Sequence, residues 1–247
     1  MPRLLIVKTG DSFPEVIEHH GDFEALFQQT LARAGFEAEV FDARHEPLPE
    51  LANIDGLYIT GSHAMVSDAE PWSEALKPWL LAARERNVAM FGVCYGHQLM
   101  ASAFGGVSDY HPAGRESGTH EVTLTESGHE DPLLGTLPAH FPVQLTHAQS
   151  VLEAPSGAVV LARNAHDANQ ALRYGPRQWS VQFHPEFTPE VMRAYLARQV
   201  DKLRDQGEDA NALMRGVTTT PEANSLLISF ARTVAERESA VAETNCS

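Results

Sequence analysis

Phe91-Gly92-Val93-Cys94-Tyr95-Gly96-His97-Gln98 is the stretch from which the fold is read. An apolar run, Val88–Val93, reads as a buried strand that stops at Cys94, and a helical segment, Gly96–Phe104, follows at once, with Gly105-Gly106 as its terminator. Gly92 and Gly96 flank Cys94 two residues away on each side, which lets a strand and a helix pack closely around a sharp turn. Outward from this unit the same alternation continues. Pro71–Arg86 is expected to be helical, with Pro78 as a kink or break. Leu57–Ile59 and Leu4–Val7 read as strands. Asp22 is expected to cap a helix over Phe23–Ala34 that stops at Gly35, and Phe36–Phe41 alternates like a strand. Strand–helix–strand alternation implies a parallel sheet with helices on its faces, so the fold class is α/β. Ligands of such sheets bind beyond the carboxyl ends of the strands.

Composition narrows the function. The chain has 247 residues, 43% hydrophobic and 21% charged, enough to bury a sizeable core. Its formal charge of −15 repels phosphate backbones and anionic lipid surfaces, which argues against nucleic-acid and membrane partners. Two cysteines, Cys94 and Cys246, exclude a disulfide scaffold. The short run Leu4–Val7 closed by Lys8 is not a signal segment, and no stretch is long enough to span a bilayer, so a cytoplasmic location with a reduced Cys94 is expected.

The second half is strand-like: His120–Thr125, Val143–His147, Val159–Arg163, Ala168–Tyr174 and Trp179–Phe183. Thr188-Pro189-Glu190 then opens a helix, with a cap, a proline at the first position and an acid in the first turn. Thr220-Pro221-Glu222 repeats that start before a final helix, Asp205–Asp209 reads as a surface connection, and Glu243–Ser247 is expected to fray.

Three points lie at expected strand ends. At the Cys94 turn, the helix N-terminus favours a thiolate, and the N–H of Tyr95 is placed for an oxyanion. Taken alone, the turn fits a buried structural cysteine equally well. His184-Pro185-Glu186 follows the strand Trp179–Phe183. In an extended segment its imidazole and carboxylate share one face, the arrangement of a base with its orienter. Taken alone, it fits a solvated strand end better. Tyr58-Ile59-Thr60-Gly61-Ser62-His63 puts a glycine directly after a strand, where its backbone N–H can serve as a second oxyanion donor, although an ordinary strand-end glycine is the simpler reading of that fragment.

Together these segments resemble the class I glutamine amidotransferase family. The family's Gly-x-Cys-x-Gly-x-Gln pattern is matched by Gly92, Cys94, Gly96 and Gln98, its Phe-His-Pro-Glu by Phe183–Glu186, and its oxyanion loop by Gly61. The resemblance is strongest to the amidotransferase domain of GMP synthetases and to stand-alone relatives. It implies a flavodoxin-like α/β fold, with a mostly parallel central sheet flanked by helices, over residues 1–200. Residues 201–247 are then a helical C-terminal extension packed on the same domain. It implies Cys94 as nucleophile, His184 as base, Glu186 as orienter, and Gly61 and Tyr95 as oxyanion donors. Gln98, with Ser62 and His147 at the active-site mouth, is the expected substrate contact, and His63 and His97 are further candidates for the mouth. No metal or cofactor is implied. Asp22, in the stretch His20-Gly21-Asp22-Phe23, receives no role.

The resemblance also implies the reaction: cleavage of the γ-amide of glutamine through a γ-glutamyl thioester, releasing ammonia to a synthetase partner in trans. A γ-glutamyl peptide or amine hydrolase with the same triad is the alternative, and a non-catalytic regulatory module is a third. The chain departs from GMP synthetases in two places. His147-Ala148-Gln149-Ser150-Val151 stands where they carry His-x-Asp-x-Val, and no Ser-Gly-Gly-Val-Asp-Ser pyrophosphate loop occurs, so this sequence is not expected to make GMP by itself. No His-Glu-x-x-His or Cys-x-x-Cys spacing supports a metal site, and His19, His20, His111, His120 and His129 are expected in solvated loops. The segment after residue 205 is compatible with a core cap, an edge cover or a homo-oligomer interface.

Overall fold

A computed structural model describes residues 2–245. In chain order the elements are β1 (Leu4–Lys8), α1 (Pro14–His20), α2 (Phe23–Ala32), β2 (Ala38–Asp42), β3 (Gly56–Ile59), α3 (Pro71–Glu85), β4 (Ala89–Val93), α4 (Tyr95–Ala103), β5 (Val107–Tyr110), β6 (Glu116–Leu124), α5 (Glu126–His129), β7 (His140–His147), β8 (Gln149–Glu153), β9 (Val159–Arg163), β10 (Ala171–Gly175), β11 (Gln178–Val181), α6 (Pro189–Arg198), α7 (Val200–Asp205), α8 (Ala210–Gly216) and α9 (Pro221–Asn245). Short 3-10 turns at Leu51–Asn53 and Val66–Asp68 complete the set.

Among the described residues, nine strands form one sheet in the order β2-β1-β3-β4-β11-β10-β9-β6-β7. The run from β2 to β11 is parallel throughout, and from β11 to β7 every pair is antiparallel. The buried strands β3 and β4 are apolar at nearly every position, as strands covered on both faces must be. Register decides where chemistry is placed. Val7 pairs with Ile59, Ile59 with Gly92, and Val93 with Val181, so the carboxyl ends of β1, β3, β4 and β11 finish along one edge.

One face of the sheet is covered by α3 and α4, whose Leu76, Leu80, Leu99 and Met100 pack on Leu57, Ile59 and Met90. The other is covered by α2 and α9, which bring Phe27, Leu31, Leu226, Leu227 and Phe230 against Ile6, Tyr58 and Phe91. α9 therefore belongs to the main core: Tyr58 Oη donates to the Leu227 carbonyl at 2.7 Å, and Phe230 meets Tyr58 edge-on at 5.0 Å. α6, α7 and α8 build a third cluster around Phe23, Phe187 and Tyr195, beside the edge where the strands end.

Pro78 does not break α3. It sits inside a continuous helix, on the exposed face, where the hydrogen bond that proline removes costs least. The segment Pro14–His20, which includes the His19 and His20 expected in a loop, is helical with proline at its start. His19 and His20 therefore end a helix, while His120 lies in β6 and His129 in α5. A further pairing was not expected: β5 and β8 form a separate antiparallel two-stranded sheet. The Asp205–Asp209 connection is short, and Asp209 caps α8 by accepting from Asn211 N and Ala212 N at 2.9 and 3.1 Å. Cys246 and Ser247, the end of the stretch expected to fray, lie outside the described residues. Among the described residues, no helix is long and apolar enough to cross a membrane.

Candidate active site

Cys94 occupies a backbone conformation that L-residues rarely adopt, φ 50° and ψ −100°. Strain of this kind persists only where the surroundings impose it, and it concentrates at functional turns. Here the surroundings are β4 and α4. Cys94 N donates to the Val181 carbonyl at 2.9 Å, while Gln98 N donates to the Cys94 carbonyl at 3.1 Å. The flanking glycines are required by space. A methyl on Gly92 would lie 2.6 Å from Met100 Sδ and 2.8 Å from the Gly96 backbone, and one on Gly96 would overlap the Ile59 carbonyl oxygen. The thiol thus sits at the N-terminus of α4, 6% exposed, on the strand-end edge.

His184 reaches this thiol from β11. The expected extended segment does not form: β11 ends at Val181, and Phe187 N closes a turn onto the His184 carbonyl at 3.2 Å. Pro185 and Glu186 occupy that turn, which folds the carboxylate back so that Glu186 Oε1 accepts from His184 Nδ1 at 2.7 Å. The two side chains meet as the spacing suggested, but through a turn and not an extended strand. The ring is held further by Phe187, stacked at 4.2 Å, and by the bond from His184 N to the Gln144 carbonyl at 2.9 Å. With Nδ1 committed to Glu186, Nε2 is left buried without a protein partner of good geometry. Burial opposes a charged ring, but the Glu186 carboxylate and the neighbouring Cys94 outweigh it, and the His184 pKa is pushed up to about 10.

Gly61 passes against both groups. A Cβ built there would stand 3.0 Å from His184 Cε1 and 3.8 Å from Cys94 Cβ, so only glycine lets this backbone come so close. The loop is fixed from behind by Thr9, whose hydroxyl donates to the Thr60 and Gly61 carbonyls or bonds the Thr60 hydroxyl, all at 3.0–3.2 Å. Tyr95 N, directly after Cys94, is the first N–H of α4.

The expected substrate contacts divide. Ser62 and Gln98 line the pocket in front of Cys94. Gln98 Nε2, however, is already committed to the Gln149 carbonyl at 2.6 Å and Gln182 Oε1 at 3.0 Å. His147 also lines the pocket, but its Nδ1 faces the Gln149 carbonyl at 2.9 Å and its Nε2 faces Glu116 Oε2 at 3.0 Å. Both nitrogens are spoken for, so this ring shapes the wall. Gln149, at the position where an acid was missing, is tied through its amide to Ser67 in the 3-10 turn beyond the Gly61 loop. His63 lines the pocket, beside Phe13 at 4.3 Å. His97 does not. It is fully buried and bonded to Ser180 Oγ at 2.7 Å, because its place on α4 faces the sheet. Asp22 gains a structural role, accepting from Ser12 N at 2.7 Å and Phe23 N at 2.8 Å and pairing with Lys8 Nζ at 2.7 Å. That bridge presses Phe23 and Phe13 towards the pocket, which both line.

Sequence reading missed Arg115, Tyr195 and Lys202, which complete the pocket walls from far along the chain. Tyr195 lay within reach, since α6 starts where expected and its apolar face includes that position. Arg115 carried no signal of its own. Among the described residues, no group of three His, Cys, Asp or Glu side chains has the arrangement of a metal site.

Three histidines with displaced pKa values predict how stability varies with pH. His97 is held neutral by full burial, with pKa lowered from 6.5 to about 4, and His63 is shifted the same way by partial desolvation in the pocket and by the positive charges of His184, Arg115 and Lys202. A pKa depressed in the folded state means the unfolded chain binds more protons between those values, so stability falls as pH drops from 6.5 towards 4, by up to about 3 kcal/mol for the fully buried His97 and by much less for His63, whose ring is open to water and screened. His184 has the opposite sign. Its raised pKa contributes stability that is full below 6.5 and is lost as pH climbs through about 10. Urea midpoints measured across this range should peak near neutrality, and a midpoint still rising at pH 5 would contradict the two neutral rings. His97→Gln should flatten the acid limb alone.

Comparisons with known proteins agree with this fold. The family model for glutamine amidotransferase class-I matches residues 15–203. A GMP synthase (glutamine-hydrolyzing) from Mycobacterium tuberculosis is 35% identical over 214 residues, covering 80% of this chain and 38% of that protein. A separate GMP synthase (glutamine-hydrolyzing) subunit from Archaeoglobus fulgidus is 30% identical over 187 residues, covering 73% of this chain and 95% of that one. This chain thus spans about a third of the full-length GMP synthases it matches. In fold, a glutamine amidotransferase from Methylobacillus flagellatus superposes with a TM-score of 0.74, at 23% identity over 95% of this chain and 92% of that one. With its elbow, paired turn and sheet order on one strand-end edge, this chain belongs to the class I glutamine amidotransferase family.

Proposed function

We propose that this chain hydrolyses the γ-amide of glutamine or of a related γ-glutamyl compound through a thioester on Cys94. The observation that carries the reading is the strained elbow cysteine facing an imidazole that Glu186 orients at 2.7 Å. The Cys94 sulfur, whose proton has passed to His184, attacks the γ-carbonyl carbon and a C–S bond forms. The carbonyl electron pair moves to oxygen, where the N–H groups of Gly61 and Tyr95 receive the negative charge. Collapse breaks the C–N bond, and His184 gives its proton to the departing nitrogen. Having given up that proton, His184 is neutral, and with Cys94 acylated it takes a proton from water. The hydroxide adds to the thioester, and expulsion of sulfur leaves glutamate. The three groups act as one unit, which a non-catalytic module would have no chemical reason to assemble.

Where the leaving nitrogen goes separates two readings. The relative from Archaeoglobus fulgidus is a synthase subunit of similar length, which supports a glutaminase that supplies ammonia to a synthetase partner in trans. Gln149, tied to Ser67, stands where that class of partner-linked loop carries an acid, and this favours instead a hydrolase with a larger leaving amine. Purified protein should be given glutamine and γ-glutamyl dipeptides side by side, with Cys94→Ala as control, and released glutamate quantified. Release that depends on Cys94 supports the proposal, and preference for glutamine selects the ammonia donor. Release that survives in Cys94→Ala, or none from any substrate, overturns it.

A further inference from the structure

The pocket carries a charge opposite to that of the chain. The protein has a formal charge of −15, yet no aspartate or glutamate lines the cavity in front of Cys94, and two cations do, Arg115 and Lys202. A cationic wall in an acidic protein concentrates anions at that point.

Arg115 stands just before β6 and is half-buried. Its Nη1 donates to Thr146 Oγ1 at 3.3 Å. Among the described residues, no carboxylate lies within ion-pair distance of it. Burial draws its pKa down, and the counter-charge that opposes this is Cys94, which places the guanidinium in the field of the reacting sulfur. Lys202, on α7, is exposed at the mouth. Both cations line the same cavity as His63, whose pKa each helps to lower. On its other side Arg115 borders a second cleft that carries the carboxylates of Glu116, Glu121 and Glu208. An anion is repelled there and held on the Cys94 side. A guanidinium withdrawn from water with no acid beside it is costly, and a carboxylate supplied by a ligand relieves the cost with paired, charge-assisted hydrogen bonds.

We infer that Arg115, with Lys202 at the mouth, is a carboxylate-selecting site for the amine side of the substrate. Two cations match a γ-glutamyl amino acid, which carries two carboxylates and one ammonium. Glutamine carries one of each, and a γ-glutamyl polyamine would bring like charge against both cations. The inference rests on the hydrolase reading above, and it assigns the discrimination between leaving groups to residues outside the triad.

Binding tests this without turnover. Cys94→Ala protein is titrated by calorimetry with γ-glutamylglycine, with γ-glutamylethylamide, which has the same glutamyl half and no second carboxylate, and with glutamine. γ-Glutamylglycine should bind at least about tenfold more tightly than the ethylamide, as one charge-assisted contact is expected to give. On that background, Arg115→Met should bring the ratio close to one, Lys202→Met should lower it by less, and Arg115→Lys should restore part of it. Raising the salt concentration should shrink the ratio in the parent. Equal affinities in the parent, no measurable binding of γ-glutamylglycine, or an Arg115→Met variant that weakens both ligands alike would overturn the assignment. If discrimination is seen but wild-type protein cleaves neither ligand, the carboxylate site stands and the hydrolase reading fails.

Discussion

His184→Ala should lower Cys94-dependent release of glutamate by roughly 10⁴-fold or more, because nucleophile, base and orienter work as a unit whose loss is far from additive. The expectation follows from three distances in one place. Glu186 Oε1 fixes Nδ1 at 2.7 Å, Phe187 stacks on the ring at 4.2 Å, and the backbone of Gly61 approaches Cε1 within 3.0 Å of a notional Cβ. Nε2 is thereby left one position, facing the thiol and the space a scissile amide would occupy. Glu186→Gln is the sharper variant. It keeps the size of the side chain and removes the charge that holds the His184 pKa near 10. Turnover should fall by about 10²–10⁴-fold, as when other oriented imidazoles lose their carboxylate. Alkylation of Cys94 by iodoacetamide at neutral pH should slow in parallel, since the imidazolium that favours a thiolate is weakened. Alkylation unchanged in Glu186→Gln would detach Glu186 from the thiol, and turnover within tenfold of wild type in His184→Ala would remove His184 from the mechanism.

Gly96→Ala should be the most destabilising single methyl added to this chain's elbow. The new carbon would overlap the carbonyl oxygen of Ile59 and stand 2.9 Å from its Cβ and Cγ2. Ile59 ends β3, in the middle of the parallel run, and Gly96 N itself donates to the Thr60 carbonyl at 3.2 Å. Neither backbone can yield without shifting the strand that delivers Gly61. Overpacking of this kind costs about 3 kcal/mol or more, which for a chain of this size lowers Tm by roughly 6–12 °C. Gly92→Ala should also be destabilising, though less, because Met100 Sδ can move aside and the Gly96 backbone contacts, at 2.8 Å, are less severe than the overlap of Gly96→Ala with the Ile59 carbonyl oxygen. Gly216→Ala, with nothing within 4 Å, is the control and should leave Tm within about 2 °C. A Gly96→Ala protein that melts with wild type would mean that the strand–helix contact is looser than the elbow requires.

These two variants probe the parts of the protein that were legible beforehand. The strand–turn–helix around Cys94 is local: an apolar run, two glycines and a helix close together in the chain leave little conformational choice. The starts of α6 and α9 were equally plain, because Thr-Pro-Glu is a capping sequence wherever it occurs, and Thr188 Oγ1 does accept from Val191 N. The pairing of His184 with Glu186 was also foreseeable from proximity in sequence, although a turn brings it about and not a strand.

What stayed hidden depends on pairings across long stretches of chain. β5 and β8 meet although a long stretch containing β6, α5 and β7 separates them, and the antiparallel run from β11 to β7 gives strand patterns that do not declare their neighbours. His97 reads as a polar residue beside a nucleophile and turns inward because α4 lies on the sheet. Arg115, Tyr195 and Lys202 enter the pocket from three separate places in the chain, and no motif links them. The sequence by itself determined the reactive turn, since backbone sterics and glycine placement act over a few residues. Only the tertiary structure decided the walls of the pocket and their positive charge, since side chains distant in the chain become neighbours when burial of the sheet faces fixes the register of every strand and the seat of every helix.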